Sequence, residues 1–306
     1  MCYVKVEAKA SPDLQALRRP VRLPGMKPAR PLIRLFRTTA VTVLAGLGIL
    51  SAFQSRFIYF PNPYPAEQTD AFLREGGERI DFTTSEGQQT AWLRRPANGA
   101  APERVWIVTA GNGSIALDFA NLPEQSGMMR DAFVFFDYPG YGLCQGKPHP
   151  KAIRESLQAA GPLITGRCQL PAGSLAGRGI VWGHSLGAAA GLIAAEEYSI
   201  RSAVLLSPFT STMAMTKVAL GVPLGFLVTH RFDNEARMAS LIQRGGKAWI
   251  LHGAEDEVIP VAMGRQLAVG GGSAVRFQEI PAASHNTLMR EALGPIITAM
   301  KAARGS

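Results

Sequence analysis

Beyond residue 78 the chain alternates short apolar runs with longer stretches of helical period. The runs 79–83, 88–93, 104–109, 132–136, 179–182, 203–207, 247–251 and 275–280 predict eight strands. Gly179-Ile180-Val181-Trp182 lacks polar alternation and reads as a short buried strand; the Ala- and Gly-rich stretch 188–195 after it reads as a tightly packed helix. From the third run onward, strands and helical stretches alternate. That pattern predicts an α/β fold with a mostly parallel central sheet and helices on both faces. Only residues 208–246 separate the sixth and seventh strands, with short helices expected at 209–226 and 234–243. This is room for a small cover, not a full lid.

Upstream, residues 38–55 form an uncharged run rich in Val, Leu, Ala, Gly and Ile. As a helix it would span about 27 Å, enough for a thin bilayer core. Arg56 ends it, and Phe57, Tyr59, Phe60 and Tyr64 supply the aromatics expected at a membrane interface. Pro61, Pro63 and Pro65 then make a stiff spacer. A cleaved secretory signal is the competing reading, but Leu50 and Phe53 occupy critical positions around Ala52. A buried core helix is a third, and the flanking basic block argues against it. An N-terminal transmembrane helix, uncleaved, is therefore expected.

Composition refines this organisation. The chain has 306 residues and no internal repeat, which divides into a basic N-terminal segment 1–37, an anchor 38–55 and one large domain 56–306. Of the net charge of +9, residues 1–37 carry +7, leaving the large domain nearly neutral. Nucleic acid is thus not indicated as a partner. Positive charge stays on the cytoplasmic side, which would place the large domain outside the cytoplasm, in the periplasm of a Gram-negative cell. Met26 opens a shorter basic leader, so residues 1–25 read as a dispensable extension or a mis-assigned start. Three cysteines make no disulfide framework, although Cys144 and Cys168 are candidates to pair in an oxidising compartment. No HExxH or paired CxxC is present, so no metal or other cofactor is indicated.

The most informative residues are Gly183-His184-Ser185-Leu186-Gly187, set between a strand and a helix. A G-x-S-x-G in that context is a nucleophile elbow, a sharp turn that raises a serine hydroxyl above a sheet. The plainer alternative is a Gly-Ser turn with Ser185 capping the helix. A serine hydroxyl needs a base, and the base needs an acid to hold its tautomer. Of five histidines, His149 precedes Ser185, His184 is the elbow's variable position and is expected to point away from the serine, His230 lies in a basic stretch, and His252 closes a strand as part of a turn. His285, on a polar loop after the last strand, remains as the base. The acid belongs on the loop after the preceding strand, where Glu255, Asp256 and Glu257 are adjacent. Asp256 leads, being short and correctly spaced, with Glu255 and Glu257 as alternatives. Backbone amides for an oxyanion are expected from Leu186, after the nucleophile, and from Asn112 in Ala110-Gly111-Asn112-Gly113. That G-x-G lacks the third glycine of a dinucleotide site and the lysine of a P-loop.

With these residues assembled, the chain resembles an α/β-hydrolase over most of its length. Phe57-Ile58-Tyr59-Phe60-Pro61, Asp137-Tyr138-Pro139-Gly140-Tyr141-Gly142, Ser207-Pro208-Phe209-Thr210-Ser211 and the segment from His252 to Pro260 are similar to the small membrane-anchored α/β-hydrolase-domain serine hydrolases. It departs from them at Ala110, where a histidine is usual, and at Cys144, where a serine is common. The resemblance implies cleavage of carboxylic ester or thioester bonds of small or acylated, lipid-like substrates through an acyl-enzyme. Ser185 would attack, His285 would move the proton, Asp256 would orient His285, and the Leu186 and Asn112 amides would hold the oxyanion. Residues 218–228 read equally as an acyl groove or as cover-helix core. The rival readings are a peptidase of the same fold and a non-catalytic ligand-binding member.

Overall fold

The computed structural model describes residues 30–222 and 224–306. Eight strands, β1 (Glu78–Thr84), β2 (Gly87–Arg94), β3 (Val105–Thr109), β4 (Ala132–Phe136), β5 (Gly179–His184), β6 (Ser202–Leu206), β7 (Lys247–Gly253) and β8 (Val275–Ile280), form one sheet ordered β1-β2-β4-β3-β5-β6-β7-β8. The pairs β1/β2 and β2/β4 are antiparallel, and every later pair is parallel. The exchange of β3 and β4 makes β3 and β5 neighbours, with Thr109 opposite Gly183. The carboxyl ends of these two strands therefore open side by side, where an α/β sheet presents its ligands.

Side chains alternate between the two faces of the sheet. Ile107, Val134, Val181, Leu205 and Ile250 pack on one side against helices that include Pro150–Arg167, Leu186–Glu197 and Asn234–Gln243. Trp106, Phe133, Phe135, Trp182 and Val204 pack on the other with Leu122 and the helix Leu293–Arg304. Every side chain of β3, β4 and β6 is buried. This is why those strands read as unbroken apolar runs. The first ten residues of Leu186–Glu197 are also buried, so this helix is apolar all round.

The chain divides into two compact units, Met1–Ile49 and Leu50–Ser306. In the first, the backbone is helical from Arg30, and Thr38 Oγ1 donates to the Arg34 carbonyl at 3.0 Å. The membrane-spanning helix expected at 38–55 is corrected. Those residues belong to the helix Arg30–Ile58, but among the described residues no helix is long and apolar enough to cross a membrane. Thr38, Thr39, Thr42, Gly46, Gly48, Ser51, Gln54 and Ser55 dilute the run's apolar content. Gln54, moreover, is buried in the second unit, where its Oε1 accepts the Thr229 amide at 2.7 Å. The membrane partnership that rested on that anchor loses its basis. Residues 1–29 of the basic block, with the alternative start at Met26, lie outside the described residues.

The segment between β6 and β7 holds the helix Thr212–Leu220, a 3-10 turn at Gly225–Leu227 and the helix Asn234–Gln243. The first of these is shorter than expected. Ser211 Oγ caps its start by accepting the Ala214 amide, and Gly221, at φ 70°, ends it in the left-handed region. It buries only Thr212; Val218, Leu220, Val222 and Phe226 are exposed, while Gly225 and Val228 beyond it are buried. Cys144 and Cys168 are both buried and free, so the pairing considered for them does not occur. Burial pushes both thiols up, Cys144 to about 12 and Cys168 to about 11, which makes them packing residues rather than nucleophiles.

Candidate active site

The turn after β5 is built by close backbone approach. Ser185 has φ 57° and ψ −119°, a conformation costing a non-glycine residue about 1–3 kcal/mol. It is held by its amide, which donates to the Leu206 carbonyl at 2.8 Å, and by its own carbonyl, which accepts the Ala188 amide at 3.0 Å. The glycines on either side leave no alternative residue. A Cβ on Gly183 would lie 2.4 Å from the Gly187 carbonyl oxygen, and one on Gly187 only 2.0 Å from that of Thr109. Thr109 Oγ1 donates to the Gly187 carbonyl at 2.8 Å, tying β3 to the start of the helix. Ser185 is thus an elbow residue and not a side-chain cap, since its hydroxyl makes no capping bond.

The chain brings three of the expected residues together. His285 Nε2 lies 3.0 Å from Ser185 Oγ, and His285 Nδ1 lies 2.8 Å from Asp256 Oδ2 and 3.0 Å from Oδ1. Of the three adjacent carboxylates only Asp256 is buried. Glu257 instead accepts the His285 amide at 3.2 Å, and the Glu255 amide donates to the Ala283 carbonyl. Both flanking residues therefore shape the histidine loop rather than face the ring. Burial alone would raise the Asp256 carboxyl. Hydrogen bonds from His252 and His285 and from the Ile259 amide outweigh it and hold the group well below the usual carboxylate range.

His252 is the residue that sequence reasoning missed. It was expected in a turn, yet it lies fully buried on β7, with Nε2 2.8 Å from the Ile259 carbonyl and 3.4 Å from Asp256 Oδ2. Asp256 thus sits between two imidazoles. A second imidazole near the path is His184, the variable position of the elbow. Its ring centroid stands 5.1 Å from that of His285. Burial, helped by His285, pushes His184 down to about 4, so it is neutral beside any charge that forms on His285. His149 caps the helix Pro150–Arg167 by accepting the Ala152 amide at 3.1 Å, and His230 Nδ1 meets the Tyr59 hydroxyl at 3.3 Å. Neither reaches Ser185.

Leu186 opens its helix, so its amide is one of the donors an α-helix leaves without an internal acceptor. Asn112 follows β3, on the neighbouring strand end. Its side chain is engaged elsewhere: Nδ2 donates to the Ile58 carbonyl at 2.6 Å, and Oδ1 accepts from the Tyr141 hydroxyl at 2.7 Å. Nothing in the local sequence signals these contacts, because the partners lie far from Asn112 along the chain. Among the described residues no group of three or more His, Cys, Asp or Glu is arranged to hold a metal. A cavity of about 640 Å³ lies between β7, β8 and the helix Leu293–Arg304 and contains none of these residues.

No protein-family model matches the chain. An uncharacterized protein of Mycobacterium tuberculosis is 24% identical over 259 residues, covering 83% of this chain and 89% of that protein. Alpha/beta hydrolase domain-containing protein 17B of Homo sapiens is 30% identical over 132 residues, covering 43% of this chain and 42% of that one. Among solved structures, an esterase of Pyrococcus furiosus shares the fold with a TM-score of 0.60 at 16% identity, over 80% of this chain and 97% of its own.

Proposed function

We propose that the chain, which shares the α/β-hydrolase fold, is a serine hydrolase acting on carboxylic ester or thioester bonds, with residues 56–306 as the catalytic domain. The observation that carries this reading is the continuous path from Ser185 Oγ through His285 to Asp256, at 3.0 and 2.8 Å. Ser185 Oγ attacks the substrate carbonyl as His285 Nε2 takes its proton. Asp256, kept ionised, accepts from Nδ1–H and so holds the tautomer in which Nε2 is the free base. The oxyanion is received by the Leu186 and Asn112 amides. Collapse of the tetrahedral intermediate expels an alcohol or thiol, protonated by His285, and leaves Ser185 acylated. Water, deprotonated by the same ring, then releases the acid.

An acyl or lipid-like substrate fits the exposed apolar side chains of the cover, Met213, Val218, Leu220, Val222 and Phe226. Purified protein should be labelled by a fluorophosphonate and should hydrolyse p-nitrophenyl esters, with turnover increasing from acetate towards longer acyl chains. Ser185→Ala should abolish labelling and lower kcat by at least about 10³-fold. Equal labelling of Ser185→Ala and wild type would reject the nucleophile. A preference confined to short chains would reject the lipid-like substrate alone.

A further inference from the structure

Asn112 is flanked by Gly111 and by Gly113, the latter at φ 80°. An amide between two glycines has a backbone free to turn, and an oxyanion donor is useful only if it is already aimed. The loop is therefore in need of outside restraint. It has that restraint at three points. The Tyr138 hydroxyl donates to the Ala110 carbonyl at 2.5 Å, and Asn62 Nδ2 donates to the Gly113 carbonyl. Between them, Asn112 Oδ1 accepts both the Phe60 amide at 2.9 Å and the Tyr141 hydroxyl at 2.7 Å, while Nδ2 donates to the Ile58 carbonyl. A carboxamide engaged at both ends has a single orientation. Tyr141 is itself fully buried, accepts the Phe60 amide at 3.0 Å and packs edge-on against Tyr138. The Asn62 carbonyl accepts the Gly142 amide at 2.9 Å, so residues 58–62 are fastened to the turn that carries Tyr141 as well as to the loop.

We propose that the Asn112 side chain and Tyr141 are positioning residues that hold the Asn112 amide at the oxyanion, with residues 58–62 as the frame they pull against. This rests on Ser185 being the nucleophile. The segment before the sheet then has a part in the chemistry through the loop it fastens. A purely structural role would make the same contacts but would leave turnover per correctly folded site unchanged.

The test is made on the full chain with p-nitrophenyl butyrate, with active sites counted by fluorophosphonate titration and the rate of Ser185 phosphonylation measured in parallel. Asn112→Ala should lower kcat per titrated site by about 10–100-fold, below the roughly 10²–10³-fold lost when a donor is removed outright, with KM changed less than about threefold. Tyr141→Phe should lower kcat by about 3–10-fold, and the double variant should be no worse than Asn112→Ala. Phosphonylation should slow in the same order. If Asn112→Ala does not fold, Tyr141→Phe decides alone. Variants whose kcat and phosphonylation rate stay within about twofold of wild type would overturn the proposal and leave the nucleophile standing. A wild type that fails to label at Ser185 would remove both.

Discussion

Asp256 carries more hydrogen bonds than a carboxylate needs in order to hold one imidazole. Oδ1 accepts the Val258 amide at 3.0 Å and the Ile259 amide at 2.7 Å, while His285 and His252 approach from the side chains. These contacts determine its orientation, so Asp256→Asn should keep the loop in place but offer an N–H towards His285 Nδ1. The ring would then turn over its tautomer, and kcat should fall by about 10³–10⁴-fold. Ester turnover per titrated site measures this; a loss below tenfold would show that Asp256 does not orient the base. Glu255→Gln and Glu257→Gln serve as comparisons, because both residues are exposed. From the sequence these three carboxylates were separable only by length and spacing. Burial separates them physically, and burial is a property of how the loop lies against β8.

At the scale of elements, the elbow depends on contact between strand end and helix start. Gly187→Ala would drive a methyl group into the Thr109 and Ala110 carbonyls, both backbone atoms that cannot step aside. It should destabilise the protein by about 3 kcal/mol or more, read from urea unfolding. Gly166→Ala, in the helix Pro150–Arg167 with nothing near its Cβ, should instead stabilise by up to about 1 kcal/mol. Equal effects at the two sites would mean that the close approach is not what requires glycine. All eight strands were legible from the runs of apolar residues, with ends displaced by a residue or two. The cover was less so: short helices were expected at 209–226 and 234–243, and the first is confined to Thr212–Leu220 because Gly221 ends it, with Val222 and Phe226 left exposed beyond. Periodicity marks where a helix can form but not which face finds a partner.

For the whole molecule, Asp137 joins parts of the chain that are distant in sequence. Its Oδ2 accepts the Tyr64 hydroxyl at 2.5 Å and Trp92 Nε1 at 3.3 Å, and its Oδ1 accepts the Ala116 amide at 2.8 Å. Burial raises its pKa from 3.8 to about 6, although these three donors pull it back. A carboxyl with a raised folded pKa favours the folded state at low pH, and that advantage is lost as pH rises through about 6. Relative to Asp137→Asn, the wild type should therefore lose up to about 3 kcal/mol of unfolding free energy between pH 4 and pH 7. A difference that stays flat over that range would contradict the shift.

The chain's own order of residues determined the eight strands, the parallel sheet, the Ser185 elbow and the choice of His285 among five histidines. Each depends on local spacing or on chain order, and both can be read without coordinates. Tertiary structure alone decided that Asp256 faces the ring, that His252 approaches Asp256 from its other side, that His184 stands beside His285, and that Asn112 is gripped from residues 58–62. It also decided the fate of residues 38–55, whose hydrophobicity suggested a bilayer but whose Gln54 is buried in the globular body. Such contacts arise between segments tens of residues apart, where the packing of loops sets the geometry and no local pattern records it.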